Sequence, residues 1–153
     1  MSLEIGTLAP DFEISDQHGV KVSLSSFRGK QNVVVLFYPF SFTGTCTGEL
    51  CEIRDDLNSF QNENVQLLAI SCDSIFTQRA FSEAQKYTFP VLSDFWPHGA
   101  VSRLYGVFKE DRGCAIRGTF IIDKSGILRW QVVNPMGDAR SASEYKTAIA
   151  ALQ

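Results

Sequence analysis

The chain of 153 residues lacks several signatures that would classify it at once. Its four cysteines, Cys46, Cys51, Cys72 and Cys114, form no C-x-x-C, and its two histidines, His18 and His98, lie far from any cysteine. The ligand spacings of a zinc site are therefore missing, and so is the dithiol of a thioredoxin-type disulfide oxidoreductase. No apolar run reaches the roughly 18 residues of a membrane span. Met1 to Gly6 shows no basic segment followed by an apolar one, so no secretory leader is read. The 14 Lys and Arg are scattered against 17 Asp and Glu, and the net charge of −3 offers nucleic acid or a membrane surface nothing to hold. Internal repeats, low-complexity tracts and linkers are absent, so one domain over 1–153 is expected. The default compartment is the cytoplasm, where cysteines are read first as thiols.

A hydrophobic fraction of 44% suits a single globular core. Phe12-Glu13-Ile14 and Val20 to Leu24 alternate around Asp16-Gln17-His18-Gly19 and predict a hairpin, with His18 in its turn. Ser25 to Gly29 reads as one helical turn ending at glycine. Val33 to Phe37 is continuously apolar, which predicts a central strand covered on both faces. Helical periodicity over Thr47 to Asn62 sets Leu50, Ile53, Leu57 and Phe60 on one side. Val65 to Cys72 is a second buried strand. Ser74 caps a helix to about Tyr87, with Ala80, Phe81 and Ala84 facing inward. Phe89 to Asp94 is extended, Trp96 is read as packing, and Gly99 to Tyr105 is a short helix that His98 starts and Gly106 closes. Gly118 to Ile122 and Ile127 to Val133 flank Asp123-Lys124-Ser125-Gly126 as a second hairpin. Ser143 to Leu152 is a closing amphipathic helix. The predicted fold is α/β: a central mixed β-sheet flanked by helices in thioredoxin-like order, with an N-terminal β-hairpin added.

The stretch from Tyr38 to Cys51 carries the chemistry. A run of strand formers enters a Pro/Gly/Thr loop, and a helical pattern starts at Cys46. A helix start presents N–H groups without partners and the positive end of the dipole. A thiol there tends to ionise, and the thiolate is the reactive form.

Pro39-x-x-x-Thr43-x-x-Cys46 at such a strand-to-helix junction resembles the active-site pattern of the peroxiredoxins. Supporting matches are Ala9-Pro10-Asp11-Phe12, Phe89-Pro90-Val91-Leu92-Ser93-Asp94 and Arg117-Gly118-Thr119-Phe120-Ile121-Ile122-Asp123. Asp94 to Val101 and Tyr105-Gly106-Val107-Phe108 are most similar to the alkyl hydroperoxide reductase E subgroup. The resemblance implies thiol-dependent reduction of hydrogen peroxide and organic hydroperoxides. It makes Cys46 the peroxidatic cysteine, with Pro39, Thr43 and Arg117 completing the site and no metal or organic cofactor. It implies a thiol reductant (thioredoxin, mycoredoxin or a low-molecular-weight thiol) and a homodimer packed through loops around the active site.

These residue types suit attack of a thiolate on a peroxide oxygen. Arg117 stays charged and offers fixed donors. The Thr43 hydroxyl is suited to donate to a peroxide oxygen while accepting an N–H, and the Thr45 and Cys46 amides are further donors. Pro39 shapes the loop and shields the sulfur. Glu49, one turn into the helix, is placed either to hold Arg117 or merely to complement the helix dipole.

Cys51 departs from the one-cysteine pattern of that subgroup. Cys46-x-x-x-x-Cys51 resembles instead the Q-type, or bacterioferritin-comigratory, peroxiredoxins, and that resemblance implies a resolving role through an intramolecular disulfide. In an intact helix two residues five apart have Cα atoms roughly 8–9 Å apart, beyond the disulfide limit of about 7 Å, so the first turn must unwind. The alternative is a structural Cys51 with an external thiol as resolver. Cys72, at a strand end, and Cys114, in a loop before a strand, are read as structural. Two other classes stay open: a disulfide oxidoreductase and a non-enzymatic redox sensor.

Overall fold

The computed structural model describes residues 3–134 and 142–152. Met1 and Ser2, part of the stretch read for a leader, lie outside these residues, as does part of the expected 1–153 domain. β1 (Glu13–Ser15) and β2 (Lys21–Ser23) form the expected N-terminal hairpin. The Asp16 carboxylate accepts the amides of His18 and Val20 in its turn, and Gly19 adopts a φ of 77°. A 3-10 turn over Leu24–Phe27 follows. Next come β3 (Asn32–Phe37), α1 (Gly44–Asp55), β4 (Val65–Ser71), α2 (Ile75–Gln85), β5 (Val91–Ser93) and α3 (Ala100–Leu104). β6 (Phe108–Lys109) pairs with β7 (Cys114–Ala115) in a small ladder. The last elements are β8 (Arg117–Ile122), β9 (Leu128–Asn134) and α4 (Ala142–Ala150).

The main sheet runs β5-β4-β3-β8-β9. β3 pairs in parallel with β4 and antiparallel with β8, so the sheet changes direction beside its central strand. All six residues of β3 are buried. Their alternation splits the core in two. Val34 and Leu36 pack on one face with Leu50, Ile53, Phe81 and Tyr145. Val33, Val35 and Phe37 pack on the other with Phe12, Tyr105 and Phe120. The continuous apolar run of β3 thus follows from cover on both faces.

Three expectations need adjustment. α1 begins at Gly44 rather than Thr47 and ends at Asp55; a separate 3-10 turn, Leu57–Ser59, carries the apolar spacing onward. Leu57 and Phe60 still meet the core, which is why their periodicity suggested one long helix. On α2 the buried residues are Gln78, Phe81 and Ser82, whereas Ala80 and Ala84 are exposed. A polar Gln78 on the inner face hid the true stripe. Cys114 lies in β7, a ladder too short to leave a periodic signal.

Candidate active site

β3 delivers the chain to the site, and the parallel neighbours β4 and β5 end on the same side. Open α/β sheets bind ligands beyond the carboxyl ends of their strands, next to a change in direction. The loop after β3 is tightly folded. Phe42 adopts a φ of 71°, a left-handed conformation that costs a bulky residue about 1–3 kcal/mol. Its ring lies 5.0 Å from that of Phe81, which holds it there. Thr43 is the N-cap of α1, and the first helical bond runs from the Thr47 amide to the Thr43 carbonyl at 2.9 Å. Cys46 therefore sits within the first turn, where amides have no partner in the preceding turn.

The Thr43 hydroxyl does not accept an N–H, contrary to expectation. It donates to the Phe40 carbonyl at 2.9 Å, because the loop bends back over itself. Glu49 lies one turn beyond Cys46, and its Oε1 receives Arg117 Nη1 at 2.5 Å. The side chains of Arg117 and Glu49 are only 3% and 6% exposed, so this is a buried, charge-assisted pair. The sheet explains how so distant a residue arrives. β8 runs antiparallel to β3 with Gly118 opposite Phe37, so the first residue of β8 lies just past the end of β3. Gly118 allows close packing here, since a Cβ would stand 2.8 Å from Val107 Cγ1.

Pro39, Phe40, Thr43, Gly44, Thr45 and Arg117 line one depression of about 290 Å³. Cys46 is fully buried beside it in the helix. The structure therefore brings Pro39, Thr43 and Arg117 to one depression, with Glu49 paired to Arg117; Cys46, in the first turn of α1, does not line it. Cys51 stands elsewhere, half-buried on α1. Its thiol lies 3.4 Å from Gln85 Oε1 and 3.5 Å from Tyr87 Oη. Cys46, Cys51 and Cys72 are free thiols. Cys72 is buried near Ser102, 3.9 Å away, and its thiol is pushed up to about 12 by burial, with a further contribution from Asp94. Burial likewise raises Cys114. Both positions fit the structural reading of these cysteines.

Residues 5–131 match the AhpC/TSA family. Alkyl hydroperoxide reductase E of Mycobacterium tuberculosis is 46% identical over 150 residues, covering 98% of each chain. The chloroplastic 2-Cys peroxiredoxin BAS1 of Arabidopsis thaliana is 35% identical over 159 residues, covering 97% of this chain and 59% of that one. The crystal structure of peroxidoxin BcpB from Mycobacterium tuberculosis superposes with a TM-score of 0.86 at 29% identity, covering 99% of both chains. The chain belongs to the AhpC/TSA family. Within that family's fold the peroxiredoxin resemblance of the Pro39-to-Cys46 segment stands where the sequence put it, at the junction of β3 and α1.

Among the described residues, no helix is long and apolar enough to cross a membrane, and no group of three or more His, Cys, Asp or Glu gathers as a metal site. Two features escaped the sequence. Trp96 was read as packing but is 81% exposed. A buried hydrogen-bonded cluster of Tyr38, Ser41, Ser71 and Gln78 backs the loop. Its only sequence trace is a glutamine at the inward spacing of α2.

Proposed function

We propose that Cys46 carries the peroxidase activity of this chain, with Arg117, Thr43 and Pro39 as its partners. The protein is a thiol-dependent peroxidase, and its substrates are hydrogen peroxide and organic hydroperoxides. The observation that carries the residue assignment is the buried Arg117–Glu49 pair, one helical turn from Cys46, at a depression that Pro39 and Thr43 also line.

The sulfur of Cys46, as thiolate, attacks one peroxide oxygen. An S–O bond forms and the O–O bond breaks. Sulfur gives up two electrons and becomes sulfenic acid, and the leaving oxygen takes a proton and departs as water or an alcohol. Positive charge near the leaving oxygen lowers the barrier. Arg117 supplies it, and Glu49 fixes the direction of the guanidinium. The Thr43 hydroxyl exchanges the Phe40 carbonyl for a peroxide oxygen. Pro39 has no N–H to offer and keeps water from the sulfur. The reaction needs no cofactor, because sulfur carries the electrons.

Stopped-flow oxidation tests this reading. Wild type reacts with hydrogen peroxide orders of magnitude faster than free cysteine, and Cys46→Ser abolishes peroxide consumption. Retained turnover in that variant refutes the assignment.

For the second half-reaction we assign Cys51 as resolving residue. Its thiol displaces hydroxide from the sulfenic sulfur, giving a Cys46–Cys51 disulfide and water, which a thiol reductant then cleaves. The C-x4-C spacing supports this, and the first turn of α1 must unwind for it. The one-cysteine reading has its own support: Gln85 and Tyr87 hold Cys51 inside an intact helix. Mass spectrometry after one equivalent of peroxide separates them. A disulfide of 46 with 51 supports resolution, and recycling by Cys51→Ser at the wild-type rate overturns it. We place the protein in the cytoplasm, whose reducing conditions suit the free thiols of Cys46, Cys51 and Cys72.

A further inference from the structure

Gln78 is a wholly buried amide on the inner face of α2, where Met or Leu would fill the same space without a desolvation penalty. It uses its full bonding capacity. Nε2 donates to Leu92 O at 2.9 Å and to Ser71 Oγ at 2.8 Å. Oε1 accepts from Ser41 Oγ at 2.7 Å and from Tyr38 Oη at 3.2 Å. The Leu92 carbonyl accepts only, so the amide nitrogen must face it and the amide oxygen must face the loop. The side chain has one orientation.

A second connection closes a ring. The Ser41 amide donates to Asp73 Oδ2 at 2.9 Å, and Ser71 Oγ donates to the same oxygen at 2.6 Å. Ser41 is therefore gripped through both main chain and side chain. The next residue is the left-handed Phe42, braced by Phe81 of the same helix α2. Thr43 follows and starts α1.

We propose that Gln78 is a positioning residue for the peroxidase reaction, acting through Ser41 to fix the loop that carries Pro39 and Thr43. The proposal rests on Cys46 being the reacting sulfur. Gln78 touches neither sulfur nor peroxide. It sets where the Thr43 hydroxyl and the start of α1 stand relative to Arg117, which arrives on the other side from β8. A misplacement of about 1 Å in such a site costs up to a hundredfold in rate.

The test is a double-mutant cycle on the rate constant for oxidation by hydrogen peroxide, with thermal midpoints measured alongside. Gln78→Met lowers that rate constant roughly ten- to a hundredfold. Ser41→Ala lowers it by a comparable factor. The double variant is within about twofold of the slower single one, because both break one link. A purely structural glutamine lowers the thermal midpoint and leaves the rate of the folded enzyme within twofold of wild type; that result overturns the proposal. So does a double variant in which the two losses multiply. If Gln78→Met fails to fold, Ser41→Ala alone decides: a rate within twofold of wild type overturns the proposal, and a tenfold loss sustains it. Cys46→Ser separates this from the underlying reading: turnover in that variant refutes the choice of sulfur and the proposal with it, whereas an inactive Cys46→Ser beside a Gln78→Met rate within twofold of wild type overturns the role of Gln78 alone.

Discussion

At the residue scale, the buried Arg117–Glu49 pair is where the proposed catalysis and stability meet. Removing one charge of a buried pair leaves the other uncompensated, which costs about 3–5 kcal/mol. Glu49→Gln is expected to lower unfolding free energy by that order, measured in urea, and to slow peroxide oxidation by at least tenfold. Loss of stability at an unchanged rate would show that Glu49 serves the fold alone. Cys72 gives a pH signature. Its thiol has an ordinary value of 9.0 and is pushed up to about 12 by burial. Between those values the folded chain keeps a proton that the unfolded chain has released. Stability is therefore lost as pH rises through that window. Cys72→Ala is expected to flatten the alkaline fall in unfolding free energy between about pH 9 and 11. An equally steep fall in the variant would rule Cys72 out as its source. Pro39, Thr43, Cys46 and Arg117 stood out as candidates because each belongs to a short, ordered motif. Gln78 did not, because its partners come from three other segments that only tertiary structure assembles.

At the element scale, helix starts matter most. Ser74 caps α2 by accepting the Thr77 amide at 3.2 Å. This cap was legible from sequence, and its loss is worth about 0.5–2 kcal/mol. Ser74→Ala is expected to lower the melting temperature by roughly 1–8 °C. Because α2 carries both Gln78 and Phe81, peroxide oxidation in this variant should slow as the melting point is approached, earlier than in wild type. Strands β3, β4, β8 and β9 were legible because long apolar or alternating runs leave little choice. The end of α1 was misread because apolar spacing continues through the 3-10 turn at Leu57, and periodicity does not distinguish the two. The inner face of α2 was misread because alanines were counted as core.

At the scale of the whole molecule, the carboxyl ends of the parallel strands β3, β4 and β5 share one side of the sheet. Phe40 and Phe42 follow β3, and Phe95 and Trp96 follow β5; all four rings are exposed, Trp96 by 81%. We propose that aromatic exposure at this end of the sheet serves a contact surface. A homodimer packed through these loops is our reading of it. Trp96→Glu is expected to shift sedimentation from dimer toward monomer, and a dimer of undiminished strength would place the contact elsewhere. The α/β class and the mixed sheet were legible from element succession. The exposure of Trp96 was not, because exposure is a property of the assembled fold and Trp96 has no periodic context.

The late arrival of Arg117 has a consequence for biosynthesis. A ribosome releases Cys46 long before it makes the strand that answers it, and β8 must slot in beside β3 before the guanidinium meets Glu49. Until then the proposed site lacks the guanidinium that Glu49 directs. If Cys46 is the reacting sulfur, as we propose, the site is thus assembled only once β8 is in place.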